Sequence, residues 1–365
     1  MPDVSRIKVL QIFGILDAGG AETRTLEMIP LLKEQGFDID FVTLTGRKGY
    51  LAPNFEELGC RVIPMRLGPS FPLIFTRFMR QQRYEVIHSH VATASGALLF
   101  LSRAASVSRR IAHFRSDGDA HASTTRRNVQ RWIGRLLIRL NATDILGVSP
   151  GSLSAGYRED WASDPRCRVI PNGLPALSFP RGRYTPSPDL RLVNVGRPLP
   201  TKRRAFVAEV AHHLALDGRS VNVTYVGPAG DDITPYTESA GGSLPVSFHG
   251  TGVIADVRGV LQSQDVLVFP STREGLPGTV LEALSVGLPV VATDIPGTRY
   301  IAQLLPGVHL LPGEAAPEAW ARTVVQASLA SDERRAEIAS AFAAGPFTTA
   351  RASQELGGVY ARASR

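Results

Sequence analysis

The sequence predicts an α/β protein made of two doubly wound domains, and three observations predict it. Short β-branched, apolar runs alternate with longer helical stretches along the whole chain, as expected of βαβ units and parallel sheets. Most of these runs are continuously apolar, which suits strands covered by helices on both faces. The alternation breaks once, at a proline-rich stretch between Pro171 and Pro188. At roughly 150 residues per domain, the length suits two domains that each bury a core.

Strands are expected at 7–13 (IKVLQIF), 39–44, 61–65, 85–88, 110–114, 144–148 and 168–171 in the first half. In the second half they are expected at 190–196 (LRLVNVG), 221–227, 246–249, 265–269, 289–293 and 307–311. Residues 1–173 then form the first domain, 174–188 a linker and 189–344 the second domain. Ligands of open parallel sheets bind at the carboxyl ends of the strands. Two sheets facing each other would form a cleft between those ends.

Composition excludes several classes. The chain is 44% hydrophobic and 20% charged, so it is not a disordered protein. No apolar run reaches the roughly 18 residues of a spanning helix. MPDVSRIKVLQIFG enters a strand without a signal-peptide layout. Two cysteines, Cys60 and Cys167, make no disulfide framework, and a reducing cytoplasm is the expected location. The formal charge of +7 lies wholly in the first half, since residues 1–173 carry 23 basic and 16 acidic side chains and the remainder 17 of each.

The first strand leads into Gly14-Ile15-Leu16-Asp17-Ala18-Gly19-Gly20-Ala21-Glu22 and a helix. Gly19 and Gly20 allow backbone N–H groups to approach an anionic ligand at the helix start, or simply permit a tight turn. The loop is not G-x-G-x-x-G, so no dinucleotide cofactor is indicated. Pro30 should kink or break the helix. In the second half a strand ends at Gly196-Arg197, with Lys202 close behind, as two cations suited to a diphosphate or as a solvated basic loop. DVLVFPSTREGLPGTVLEALSVGLPVVATDIPG, residues 265–297, holds the strongest pattern. Glu274 lies in a loop, a helix starts near Thr279, and Glu282 is expected in its first turn. The loop N–H groups near Gly278, Thr279 and Val280 make an anion site of the helix-terminus kind. A carboxylate beside such a site repels phosphate and suits sugar hydroxyls.

This segment resembles the E-x7-E signature of the retaining family-4 glycosyltransferases, which have the GT-B fold of two Rossmann-like domains. The resemblance runs through Gly19-Gly20, VIHSH at 86–90, RIAHF at 110–114, GVSP at 147–150, VIPNG at 169–173, VGRPLPTKR at 195–203, YVGPAGDD at 225–232 and VSFHGTG at 246–252. It implies transfer of a sugar from a UDP- or GDP-linked donor to a hydroxyl, with retention and without a metal or cofactor. It implies that Arg197 and Lys202 hold the diphosphate, Glu274 the donor sugar and Glu282 the ribose. Leu276, Gly278, Thr279 and Val280 would cradle the phosphate, approached by Gly19 and Gly20. Gly250, Thr251 and Val253 would lie near the base. His113 is the match for a strand-end histidine beside the sugar, with a backbone-bonded histidine as the alternative. The resemblance also implies that residues near 345–365 return as a helix onto the first domain.

Some residues stand outside that pattern. His88 and His90 share a strand face but have no third ligand at metal-site spacing. The triplets Asp38-Ile39-Asp40 and Asp117-Gly118-Asp119 could suggest a cation, although the first enters a strand at the wrong edge, and Arg115, Asp117 and Asp119 are expected to meet the acceptor instead. Pro277 removes an N–H from the loop where many relatives resemble Gly-Phe-Gly.

Residues 124–141 read as a helix with Arg127, Arg131, Arg135 and Arg139 in one row and Trp132, Leu136 and Leu140 beside it. An anionic membrane surface fits such a helix, as does a core face beside a solvated one. Nucleic acid is not expected, because no aromatic platform accompanies the charge. The functional expectation is therefore a glycosyltransferase of bacterial glycan, glycolipid or metabolite synthesis, cytoplasmic or peripheral to the membrane. An epimerase or phosphorylase of the same fold, or a nucleotide-sugar-binding module, is the alternative.

Overall fold

The computed structural model describes residues 6–17, 19–116, 124–175, 187–237, 244–254 and 256–362. The chain divides into two compact units, Met1–Pro175 with Thr348–Arg365, and Ala176–Phe347. Asp117, Gly118 and Asp119, and linker positions 176–186, lie outside the described residues.

In the first unit β1 (Ile7–Phe13), β2 (Phe37–Thr43), β3 (Val62–Pro64), β4 (Val86–Ser89), β5 (Arg109–Phe114), β6 (Asp144–Gly147) and β7 (Cys167–Val169) form one sheet, ordered β3-β2-β1-β4-β5-β6-β7. In the second unit β8 (Leu190–Val195), β9 (Val221–Val226), β10 (Val246–Gly250), β11 (Val266–Phe269), β12 (Val290–Thr293) and β13 (Val308–Leu311) are ordered β10-β9-β8-β11-β12-β13. The ladders between these strands are parallel. Each segment read as a strand is a strand, with ends moved by a residue or two. Both units are thus Rossmann-like and doubly wound. Their strand order reverses between β1 and β4 and between β8 and β11, and such switch points are where ligands bind.

The continuous apolar runs follow from burial on both faces. Along β1, Val9 and Phe13 pack in one layer and Leu10 and Ile12 in the other, as the two-residue period of a strand requires. The helix Thr349–Ala361 places Ala352, Leu356, Val359 and Tyr360 in the same layer as Met28, Ile29 and Leu32 of the helix Gly20–Glu34. Pro30 lies inside that helix without ending it. In the second unit, Trp320 and Phe206 meet edge to face within the core around Leu192, Val223 and Val268.

The arginine-rich helix is Thr125–Asn141, capped by Thr124. Its buried residues are Gly134, Ile138 and Asn141. Gly134 sets this orientation, because a Cβ there would stand 2.4 Å from the Thr93 carbonyl oxygen. The helix therefore lies against Ser95–Ala104 by its glycine face, and Trp132, Leu136 and Leu140 remain exposed. This corrects the assignment of that apolar row to a core face. Arg135 is also not a presented cation, since it donates to the Gly156 carbonyl at 3.0 Å and the Ala155 carbonyl at 2.7 Å. No helix among the described residues is long and apolar enough to cross a membrane.

Candidate active site

In the second unit the site is built where β8 and β11 lie side by side. The chain leaves β8 through Gly196 and exposed Arg197, makes a short turn at Pro200–Lys202 and enters the helix Arg204–Leu216. Arg203 joins them with φ of 47°, a left-handed conformation that disfavours a side chain. Its guanidinium is held by the Gly313 carbonyl at 2.8 Å and lies 4.1 Å from the Phe206 ring centre. Arg204 is buried beneath this loop. It pairs with Asp232 and donates to the carbonyls of Pro228 at 2.8 Å and Gly196 at 3.3 Å. A buried guanidinium with this many partners fixes the loop above it.

That loop presents Lys202 to β11. The Lys202 ammonium forms an ion pair with Glu274 and stands 5.7 Å from the Phe269 ring centre. The Thr272 N–H donates to the Thr201 carbonyl at 2.8 Å, tying the two loops by backbone as well. Gly297 supports Glu274 from below, since a Cβ there would lie 2.8 Å from the Gly275 oxygen and 3.0 Å from the Glu274 oxygen.

The helix after Glu274 is Gly278–Ser285, and no side chain caps its start at Pro277. Its first N–H groups, on Gly278, Thr279 and Val280, are therefore available to an anion. Gly278 faces open space, with nothing within 4 Å of a Cβ placed there. Leu276 and Val280 are buried, so they offer a ligand only backbone. Glu282 is the fifth residue of the helix and not in its first turn, because the helix begins at Gly278. Gly250, Thr251 and Val253 stand at the end of β10, two strands from β8. Gly250 also faces open space, and Val253 is 78% exposed.

In the first unit the switch point between β1 and β4 gathers groups of a different kind. Gly20 opens its helix facing empty space, while a Cβ on Gly19 would stand 2.3 Å from the Glu22 carboxylate. Burial raises the Glu22 carboxyl above its ordinary range. At the ends of β4 and β5, His88, His90 and His113 converge, with one ring nitrogen of each within 4.8 Å of the others. The third imidazole missing from the sequence spacing thus comes from the neighbouring strand. His88 and His113 are bonded to each other, Nε2 to Nδ1 at 3.0 Å, so His113 is not a backbone-bonded histidine. His88 Nδ1 meets the Tyr360 hydroxyl at 2.7 Å, and His90 Nε2 meets Gln11 Oε1 at 3.1 Å.

Arg115 closes the cluster. Its Nε–H donates to His90 Nδ1 at 3.1 Å, and it also donates to Asn172 Oδ1 and to Thr25 Oγ1 at 3.3 Å. Burial, and then the Arg115 charge or a neighbouring imidazole, hold all three histidines well below the usual imidazole range. Burial likewise pushes Arg115 down to about 10. His113 Nε2 is buried with no hydrogen-bond partner among the described residues. Both ring nitrogens of His88 and of His90, and Nδ1 of His113, are engaged in these hydrogen bonds. Of the D-x-D residues, Asp40 is a structural group, accepting from Arg61 Nη2 at 2.6 Å and the Tyr84 hydroxyl at 2.7 Å.

Sequence reasoning named Lys202, Glu274 and His113, and Arg115 as facing the acceptor, but missed Arg204, Gly297, Gln11 and Tyr360 as supports of the site. Arg204 sat in view within TKRR, yet nothing in that run told a buried arginine from an exposed one. Tyr360 lies 247 positions from His113, with no local signal linking them.

Two family models match the chain. One, described as "Glycosyl transferase 4-like domain", spans residues 19–173, and the other, "Glycosyl transferases group 1", spans 189–328. The chain is 26% identical over 323 residues to the capsular polysaccharide biosynthesis glycosyltransferase CapH of Staphylococcus aureus, covering 87% of this chain and 90% of the relative. It is 22% identical over 322 residues to the UDP-Gal:alpha-D-GlcNAc-diphosphoundecaprenol alpha-1,3-galactosyltransferase of Escherichia coli, covering 82% of each. The fold is that of Anabaena Alr3699/HepE, solved in complex with UDP, at a TM-score of 0.74 and 17% identity over 98% of this chain and all of that one. With both doubly wound units and both family domains in place, the chain belongs to the family-4 glycosyltransferases of the GT-B fold.

Proposed function

We propose that the enzyme moves a hexose from a UDP- or GDP-linked donor to a hydroxyl on a glycan or lipid-linked acceptor, with retention and without a metal. The observation that carries this reading is the Lys202–Glu274 ion pair at the second switch point, beside the uncapped start of Gly278–Ser285. A diphosphate would take Lys202 from Glu274, joined by Arg197 and the N–H groups of Gly278, Thr279 and Val280. Glu274, released from the pair, would accept from sugar hydroxyls. Glu282 would accept from the ribose, and Gly250, Thr251 and Val253 would lie by the base. In the reaction the bond between the anomeric carbon and the phosphate oxygen breaks. The acceptor oxygen attacks on the same face and passes its proton to the departing phosphate. Fixed cations and N–H groups stabilise that leaving charge without reorganising. UDP bound in HepE and the UDP-galactose in the Escherichia coli relative's name support a uridine donor.

A membrane-associated acceptor is the finer reading. The helices Phe71–Gln82, Ser95–Ala104 and Thr125–Asn141 contain no Asp or Glu. Leu73, Phe100, Trp132 and Leu140 are exposed on them. Apolar side chains among arginines suit the interface of an anionic bilayer. The diphosphoundecaprenol acceptor in the relative's name is of that kind.

Thermal-shift measurement with UDP-, GDP- and dTDP-sugars, followed by product analysis with and without acceptor, tests the reading. Stabilisation by one nucleotide class and a glycoside formed only with acceptor are expected. Free epimer or sugar phosphate without acceptor would overturn it.

A further inference from the structure

The histidine cluster of the first unit has a direction. Arg115 fixes it, because a guanidinium only donates. Arg115 Nε–H donates to His90 Nδ1, so neutral His90 carries its proton on Nε2. That N–H donates to Gln11 Oε1. The Gln11 amide is thereby oriented, and its Nε2–H donates to the Tyr360 oxygen at 3.2 Å. The single Tyr360 hydrogen then goes to His88 Nδ1, its remaining partner at 2.7 Å. His88 must carry its own proton on Nε2, which donates to His113 Nδ1 at 3.0 Å. His113 is left with its proton on Nε2, a buried atom with no hydrogen-bond partner among the described residues.

The reverse polarity fails at Tyr360. If His88 donated to it, the phenol hydrogen would have no acceptor among the described residues at a site where Tyr360 is fully buried. A buried hydroxyl left without an acceptor carries the full cost of its lost hydration. Protonation of His90 fails as well, since an imidazolium cannot accept from Arg115.

We propose that Arg115, Gln11, Tyr360 and His88 are positioning residues that hold His113 as a neutral Nε2–H donor, and that its partner is an acceptor oxygen of the sugar substrate. The choice of partner rests on the glycosyl-transfer reading, while the direction of the chain does not. The C-terminal helix thus has a task beyond packing, because it carries the hydroxyl that sets the tautomer of a strand-end histidine on the far side of two hydrogen bonds.

Nitrogen NMR of the histidine-labelled full chain reads the tautomers directly. In the wild type, His88, His90 and His113 should all be neutral with the proton on Nε2. In Tyr360→Phe, His88 and His113 should lose that preference while His90, set by Arg115, keeps it. A wild-type His113 protonated on Nδ1, or unchanged rings in Tyr360→Phe, overturns the relay. The wild-type spectrum decides even if the variant fails to fold. The same variant should lower kcat/KM for transfer by up to about 100-fold, the cost of a misplaced group, and wild-type kcat/KM overturns the assigned partner. Expected tautomers in a wild-type protein that transfers no sugar would instead count against the glycosyl-transfer reading alone.

Discussion

Lys202 and Glu274 meet as an ion pair although 72 positions separate them, because β8 and β11 are neighbours in the sheet and each delivers one partner from its carboxyl end. Each side chain is 20% exposed, so the pair is open enough to be exchanged for a ligand. Ion pairs that water still reaches contribute little to stability, about 1 kcal/mol. Lys202→Ala and Glu274→Ala should therefore each abolish sugar transfer while shifting the unfolding midpoint little. Steady-state transfer assays beside thermal unfolding check both halves, and near-normal rates in either variant would count against the assigned roles.

Arg204 predicts the opposite balance. It touches no ligand in the reading above but holds Asp232, Pro228 and Gly196 from within the core. Arg204→Ala should lower stability in denaturant unfolding by about 1–3 kcal/mol, the range for leaving buried acceptors such as the Pro228 and Gly196 carbonyls without their donor. Loss of transfer with unchanged stability would place Arg204 in the chemistry instead.

Gly278 separates binding from folding. An added Cβ meets nothing within 4 Å and sits at the first position of a helix. Gly278→Ala should hold or raise stability, by up to about 1 kcal/mol, while weakening UDP binding through the space it fills. Calorimetric titration with UDP checks this, and unchanged affinity would show that the space is not ligand space.

The buried histidines predict acid sensitivity. Their folded pKa values lie below the unfolded one, so the unfolded chain binds more protons below about pH 6.5. Stability is then full above that pH and falls as pH drops, by about 1.4 kcal/mol per unit for each proton. The charged and titratable groups around the cluster are Arg115, Glu22 and Tyr360. Urea unfolding of the first unit between pH 7.5 and 5 should show the decline, and His88→Gln should flatten it. A flat wild-type profile would contradict burial in the neutral form.

Trp132 is 66% exposed on its helix. Trp132→Glu should leave stability within about 0.5 kcal/mol and reduce co-sedimentation with anionic vesicles at low salt. If the wild type itself fails to co-sediment, the membrane reading falls and the arginine row is a solvated helix face.

Reading the sequence went furthest where a property is local. Apolar runs located the strands because burial on both faces demands such runs whatever the neighbours are. Gly278 and Thr279 were legible because a helix start exposes N–H groups by its own geometry. The rows along Thr125–Asn141 were legible as rows, but not that a third face, Gly134, Ile138 and Asn141, is the buried one. That depended on Gly134 meeting Thr93 across a helix contact. The place of Glu282 moved by one residue, out of the first turn, because Pro277 starts the helix earlier than expected.

The sequence by itself determined the doubly wound architecture and the E-x7-E block, and it offered Lys202, Glu274 and His113 as candidates. Only the tertiary structure decided their partners. The ion pair exists because parallel order places β8 against β11. The histidine chain exists because β1, β4, β5 and the final helix bring Gln11, His88, His90, His113 and Tyr360 into one buried space. Hydrogen bonds there have a direction that no residue carries alone: it starts from the donor-only Arg115 and passes from group to group to the Nε2–H of His113.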